Sequence, residues 1–392
     1  MRTARNILLA VLAGLAAVAL VFVGFKAERL ATRALHYERL VRRLGGVQHR
    51  VRIGGFDGIV ILPRGRKLDA DAPWVWYAPA MWGGYAGEDN EWLFQNLLSK
   101  GISVAGIDVG ESYGNEKGSA AYSEFYKAIV AKYRLSRAPC LLGQSRGGLM
   151  LYNWAEDNVD RVGCIAGIFP VTDLRSWPGL GNDKLLAAHG MTEAELRAGL
   201  AGINPIDRLG ALAAHGVPVF HVHGDADEVA PLLQNTFEFA RRYNEAGGRA
   251  EFSVVHGKAH QASAGFFQSE QLMVFLLSGG NSLSSRRPAV AYSLRDKISV
   301  CAWENSHWES RPPCKICFET CSLPEPGTIT KIEYRCEGGG CANSQNPLPG
   351  GGSGPLIVLS PDRRSFTWAR RWSGTAPIKD IYTIYFAPDA SK

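Results

Sequence analysis

Past residue 50 this 392-residue chain has almost no net charge. Its formal +6 is carried by the first fifty residues, where nine Lys/Arg meet only Glu28 and Glu38, leaving the remainder at −1. A near-neutral body lacks the basic face that nucleic acid demands, so no nucleic-acid partner is expected. The chain has no internal repeat, which sets aside a stacked-repeat architecture. Cysteine is scarce up to residue 300, where Cys140 and Cys164 stand alone. Both fall in apolar runs expected to form adjacent buried strands, and they read as free, inert core thiols.

What the first residues do contain is a targeting element. Arg2 and Arg5 precede an unbroken apolar run from Ile7 to Phe25, followed by Lys26, Arg29 and Arg33. As a helix this run would reach roughly 28 Å, close to the roughly 30 Å hydrocarbon core of a bilayer. The flank after Phe25 has no small-x-small cleavage site, so an uncleaved membrane anchor is expected, with a cleaved secretory signal as the alternative. Residues 26 to 44 then carry apolar side chains at helical spacing among arginines, either a helix on anionic lipid or a solvated stalk. Six cysteines, Cys301, Cys314, Cys317, Cys321, Cys336 and Cys341, crowd near the C-terminus. An even-numbered cluster suits an oxidising compartment, which places the body outside the cytoplasm, periplasmic or at the cell surface, or secreted if the signal is cut.

With 46% hydrophobic residues the chain can bury a large core, and two domains are expected. From about residue 46 to 279, short β-rich runs alternate with helical segments. Strands are expected at Val51–Ile53, Gly58–Pro63, Trp74–Ala78, Ser103–Asp108, Pro139–Leu142, Gly163–Phe169, Pro218–His223 and Phe252–Val255. Helices are expected at Glu91–Lys100, Ala120–Tyr133, Gly147–Glu156, Leu232–Ala246 and Ser269–Leu277. Most of the later strand runs are apolar on both pleat faces, as in a mainly parallel sheet covered by helices on both sides, with two antiparallel strands at its start. Residues 172 to 212 read as a partly helical insertion over the sheet's C-terminal edge. A linker at 280–288 leads to strand-like runs separated by Gly- and Pro-rich turns, giving a small all-β, cysteine-stapled domain at 289–392.

The stretch Leu141-Leu142-Gly143-Gln144-Ser145-Arg146-Gly147-Gly148 is a strand ending in G-x-S-x-G and opening a helix. Such a turn exposes a serine above the sheet at a helix N-terminus, where dipole and free N–H groups favour developing negative charge. A serine hydroxyl is a poor nucleophile at neutral pH, so a base and an orienting acid must follow. After Pro218–His223 comes His223-Gly224-Asp225-Ala226-Asp227-Glu228-Val229-Ala230-Pro231, and after the next strand His256-Gly257-Lys258-Ala259-His260. The expected catalytic residues are Ser145, Asp227 and His260, with Asp225 competing for the acid role.

These three segments resemble the α/β-hydrolase superfamily, in particular the branch related to prolyl oligopeptidases and dienelactone hydrolases, over roughly residues 50 to 279. In that branch a loop of the form H-G-x-x-D-x-x-V-P carries the acid at its fifth position, which matches Asp227; the loop here departs by one residue at Val229-Ala230-Pro231. The family's histidine falls on His260, while His221, His223 and His256 read as structural. The resemblance implies an oxyanion hole from the Arg146 N–H and a second donor, Ala80 or Met81, in the loop after Trp74–Ala78. That loop lacks the family's usual His-Gly. Asp108 and Asp173 sit at the same sheet edge, either binding substrate or satisfying loop backbone.

No metal or cofactor is expected. Cys314-x-x-Cys317-x-x-x-Cys321 could hold zinc, but disulfides are favoured outside the cytoplasm. Trp303, Trp308, Trp368 and Trp372 form either a sugar-stacking surface or core. The function expected is an extracytoplasmic, membrane-tethered serine esterase, acting on a small or polymeric ester through an acyl-enzyme. The alternatives are a prolyl-oligopeptidase-type peptidase, set lower because only about 45 residues precede the fold, and a catalytically idle hydrolase fold used as a binding or scaffold protein.

Overall fold

The computed structural model describes residues 43–65, 71–79, 88–255 and 257–281, and beyond these the backbone of seven strands between 297 and 388. The apolar runs expected to be strands assemble into one eight-stranded sheet. Its strands are β1 (Gly46–Ile53), β2 (Phe56–Pro63), β3 (Trp74–Ala78), β4 (Ser103–Asp108), β5 (Cys140–Gln144), β6 (Cys164–Ile168), β7 (Pro218–Gly224) and β8 (Arg249–Val255). They lie side by side in the order β1-β2-β4-β3-β5-β6-β7-β8. The first two pairings are antiparallel and the rest parallel. This is an α/β-hydrolase-type fold. Two strands are longer than their apolar runs. In β1 and β8 one face is partly or fully exposed and carries Arg50, Arg52, Arg249, Glu251 and Ser253, so hydrophobicity alone marked only their ends.

The parallel strands are joined by helices on both faces: α1 (Glu91–Ser99), α2 (Glu116–Tyr133), α3 (Gly147–Glu156), then α4 (Asp183–His189), α5 (Glu193–Gly199), α6 (Gly210–His215), α7 (Glu238–Glu245), α8 (Ala264–Phe267) and α9 (Glu270–Leu277). Helix α2 begins four residues before the apolar periodicity does, because Asn115 Oδ1 accepts the Gly118 N–H at 2.9 Å and caps it. It buries Tyr122, Phe125, Tyr126, Ile129 and Tyr133, one face at helical spacing. Against that face Trp76 of β3 packs with Tyr122, Phe125, Tyr126 and Trp154, with ring centroids 4.7 to 6.3 Å apart. All ten residues of α3 are buried, as an all-round covered helix requires. On the opposite face Tyr77, Leu142 and Phe220 meet α1 and α9 through Leu93, Phe94, Leu97, Phe275 and Leu276.

The chain order fixes where a cleft can form. β3 leads through α1 to β4 on one side, and β4 leads through α2 over β3 to β5 on the other. The connections therefore part above the C-terminal ends of β3 and β5, and such a switch point leaves a crevice. Over this edge lies the insertion between β6 and β7. Leu174, Leu180, Leu185, Leu196 and Leu200 are buried there against Tyr113, Leu149, Val171 and Ala230.

One expectation is overturned. Cys140 and Cys164 are not free thiols but a disulfide. They are register partners on neighbouring parallel strands with Cα atoms 4.4 Å apart, a separation that disulfides span and that assignment to two buried strands did not by itself reveal.

Beyond residue 281 two antiparallel arrangements are described: Ile316–Ser322, Ser344–Gln345 and Leu356–Leu359 pair with Ser365–Trp372, and Gly327–Glu337 and Lys297–Glu304 pair with Lys379–Pro388. The side chains of the six clustered cysteines and of the four tail tryptophans lie outside the described residues, as does the apolar run 7–25. Among the described residues no helix is long and apolar enough to cross a membrane.

The disulfide closes a short loop, so replacing Cys140 and Cys164 together by serine is expected to cost about 3 kcal/mol of stability. Alkylation of the denatured, unreduced protein followed by peptide mapping checks the bond itself. Neither cysteine should carry the label, and labelling of both would restore the free-thiol reading.

Candidate active site

β5 carries Gly143 and Gln144 to the sheet edge, and the chain reverses at Ser145 with φ of 51°. That left-handed conformation is strained for a residue with a Cβ and persists only where neighbours over-determine it. Here they do. The Ser145 N–H donates to the Ile168 carbonyl at 3.0 Å, and its carbonyl accepts the Gly148 and Val171 N–H groups, each at 2.9 Å. A side chain at 147 would run into the Ala78 carbonyl and one at 148 into the Val171 carbonyl, so both glycines are required by close backbone approach. Beneath the turn the Tyr77 hydroxyl donates to Gln144 Oε1.

The loops after β7 and β8 bring two more predicted residues to Ser145. Ser145 Oγ lies 2.7 Å from His260 Nε2, and His260 Nδ1 lies 2.6 Å from Asp227 Oδ2. The nitrogen facing a carboxylate carries the proton, which leaves Nε2 to accept from the serine hydroxyl. Asp227 is buried, and its second oxygen accepts the Val229 and Ala230 N–H groups at 2.9 and 2.8 Å. Burial alone would raise its pKa. The hydrogen bonds from His223, His260 and the Ala230 N–H outweigh burial and hold the carboxyl well below the usual range. A depressed carboxylate stabilises the fold above its ordinary pKa, and that contribution fades as pH falls through the depressed value.

Asp225 does not join this line. Its Oδ1 accepts the Gly257 N–H at 2.6 Å, while the Ala226 N–H reaches the Lys258 carbonyl at 3.1 Å. These bonds stitch the acid loop to the histidine loop. Phe169, which sequence reasoning passed over, closes the other side of His260. It follows β6 directly, at φ of 36°, and meets the imidazole edge-to-face at 4.7 Å between centroids. Only a Phe-Pro following an apolar strand could have signalled it.

Arg146 is the N-cap of α3, at the helix end where backbone N–H groups find no acceptor within the helix. Ala80, Met81 and His256 lie outside the described residues. The Arg146 Nε sits 2.8 Å from Glu111 Oε2, an ion pair at the mouth of the site that the sequence did not mark. Burial raises the Glu111 pKa in spite of that arginine. Asp108 Oδ1 accepts the Gly110 N–H at 2.9 Å. Asp173 Oδ1 accepts from the Arg175 backbone and side chain and from Asn204 Nδ2, at 3.0, 2.9 and 2.9 Å. Both carboxylates hold their own loops, and neither is placed in the Ser145-His260-Asp227 line. Among the described residues no group of three or more His, Cys, Asp or Glu is placed to hold a metal.

A mainly parallel sheet with a serine at this strand-helix turn defines an α/β-hydrolase-type serine hydrolase. Residues 117–276, which contain all three hydrogen-bonded residues, match the prolyl oligopeptidase family, Peptidase_S9. Among solved structures, a puromycin-hydrolyzing peptidase from Mycobacterium tuberculosis is similar at 16% identity and TM-score 0.50, over 61% of this chain and 40% of that one. An acylaminoacyl peptidase from Pyrococcus horikoshii is 18% identical at TM-score 0.48, over 59% and 41%. Dipeptidyl peptidase 4 from Porphyromonas gingivalis is 17% identical at TM-score 0.48, over 59% and 35%. This chain thus spans less than half the length of these structures. No curated protein sequence matches it. The expected preference for esters over peptides is not supported, because the matching family is one of peptidases.

Asn in place of Asp227 would leave His260 without its orienting charge, and turnover is expected to fall by roughly a thousandfold or more. Asp225→Asn should cost far less, since it loosens one loop contact. Steady-state kinetics on the two folded variants decide it. A larger loss at Asp225 would mean that the acid is misassigned.

Proposed function

We propose that this chain is a serine hydrolase that cleaves acyl bonds through a covalent intermediate on Ser145, and that its natural acyl donors are peptides. The observation that carries the reading is the continuous line from Ser145 Oγ through His260 to the buried Asp227 carboxylate. In this scheme His260 takes the proton as Ser145 attacks the carbonyl carbon, and returns it to the departing nitrogen. Asp227 holds the ring's tautomer and stabilises the imidazolium. The Arg146 N–H, with a donor from the loop after β3, would receive the developing oxyanion. Water then repeats the sequence on the acyl-enzyme. The peptide preference rests on the family match of residues 117–276. Esters pass through the same intermediate with an easier leaving group, so small activated esters serve as assay substrates.

We also propose that residues 46–279 form the catalytic unit, followed by a linker at 280–288 and a separate disulfide-rich domain at 289–392, and that residues 1–45 tether the chain to a membrane with its body outside the cytoplasm. The Cys140–Cys164 disulfide supports that placement, since such bonds persist in oxidising compartments.

A fluorophosphonate probe should label the full chain at Ser145, and Ser145→Ala should lose the label and reduce hydrolysis on the order of a thousandfold or more while remaining folded. Matched acyl-peptide and acyl-ester substrates then separate the two classes by kcat/KM. Turnover of the esters alone would overturn the peptide preference, and wild-type turnover by folded Ser145→Ala would overturn the mechanism.

A further inference from the structure

The acid loop is held from behind as well as from the site. His223, at the end of β7, points its Nε2 at two acceptors, the Ala230 carbonyl at 2.8 Å and Asp227 Oδ2 at 3.2 Å. Its Nδ1 lies 2.8 Å from Thr236 Oγ1, and the same hydroxyl lies 3.0 Å from His221 Nδ1. His221 Nε2 in turn lies 2.7 Å from the Tyr152 hydroxyl on α3. All four side chains are buried. Thr236 belongs to a widened, π-type turn, Leu233–Phe237, immediately before α7, where a regular helix had been expected.

The chemistry of these partners gives the file a direction. Two acceptors at His223 Nε2 require a proton there, so in the neutral ring Nδ1 accepts from the Thr236 hydroxyl. That hydroxyl has one proton, so His221 Nδ1 must donate to it, and His221 Nε2 is left to accept from Tyr152. Each group keeps one role. Burial pushes His221 down to about 3 and keeps it neutral.

We infer that His223 is a positioning residue for Asp227, its ring held in place by a buried file of hydrogen bonds running through Thr236 and His221 to Tyr152. It grips the Ala230 peptide, whose N–H binds Asp227 Oδ1, and it faces the carboxylate oxygen that His260 uses. Without the Thr236 hydroxyl, the buried His223 Nδ1 and His221 Nδ1–H lose their shared partner. The His223 ring is then held at one end only, and its grip on the Ala230 carbonyl and the carboxylate loosens.

The inference rests on the proposed role of Ser145, and the rate at which a fluorophosphonate phosphonylates the full chain tests both. Thr236→Val keeps the shape and removes the hydroxyl; it and His223→Leu are expected to slow phosphonylation at saturating probe by roughly tenfold or more, with little change in probe affinity. Thr236→Ser and His223→Gln, which keep a hydroxyl and a donor-acceptor pair, should recover most of that loss. In the proton spectrum the low-field His260 Nδ1–H signal should move in Thr236→Val and hold its place in Thr236→Ser. A packing role alone would leave that signal in place. Wild-type protein that resists the probe would take down both readings. A reactive wild type with an equally fast Thr236→Val, or equal losses in the serine and valine variants, would overturn the positioning role alone.

Discussion

Everything at this site depends on keeping one carboxylate ionised where water is excluded. Asp227 is buried, and a bare charge there would be driven to protonate. Four donors prevent it: the Val229 and Ala230 N–H groups on one oxygen, His260 and His223 on the other. Because the charge is compensated on several sides, the carboxylate can orient His260 without collapsing onto it. Phe169 bounds the other side of the imidazole, edge-to-face.

The sheet supplies the frame for this. Ser145, Phe169, Asp227 and His260 come from the chain following β5, β6, β7 and β8, four adjacent parallel strands whose C-terminal ends share one edge. Strained backbone at Ser145 and Phe169 is tolerated because each N–H finds the carbonyl of a neighbouring strand, Ile168 and Val222 respectively. The disulfide between Cys140 and Cys164 ties β5 to β6 at the opposite ends of the same two strands, so the pair that carries the turn is clamped at its base.

The parallel strands were legible because they are buried on both faces and read as unbroken apolar runs, and the serine turn because its glycines are demanded by close approach. Asp227 and His260 were legible as candidates because each follows a strand end, in the loops after β7 and β8. What the sequence concealed depends on contacts between distant segments. Nothing local to Cys140 or Cys164 announces that they share a register position. His223 reads as a strand-end histidine until β7 and the π-type turn are packed together, when Thr236 and Asp227 appear on either side of one ring. The same holds for Glu111 and Arg146, which become an ion pair only once the β4 and β5 loops meet over the crevice.

The most direct measurement is to trap the covalent intermediate. A p-nitrophenyl ester mixed with the full chain and quenched in acid during the first turnover should yield protein heavier by one acyl group. Peptide mapping should place that group on Ser145, with a burst of nitrophenol matching the enzyme concentration. Linear product release from the first turnover, with unmodified protein throughout or the acyl group on another residue, would contradict the account.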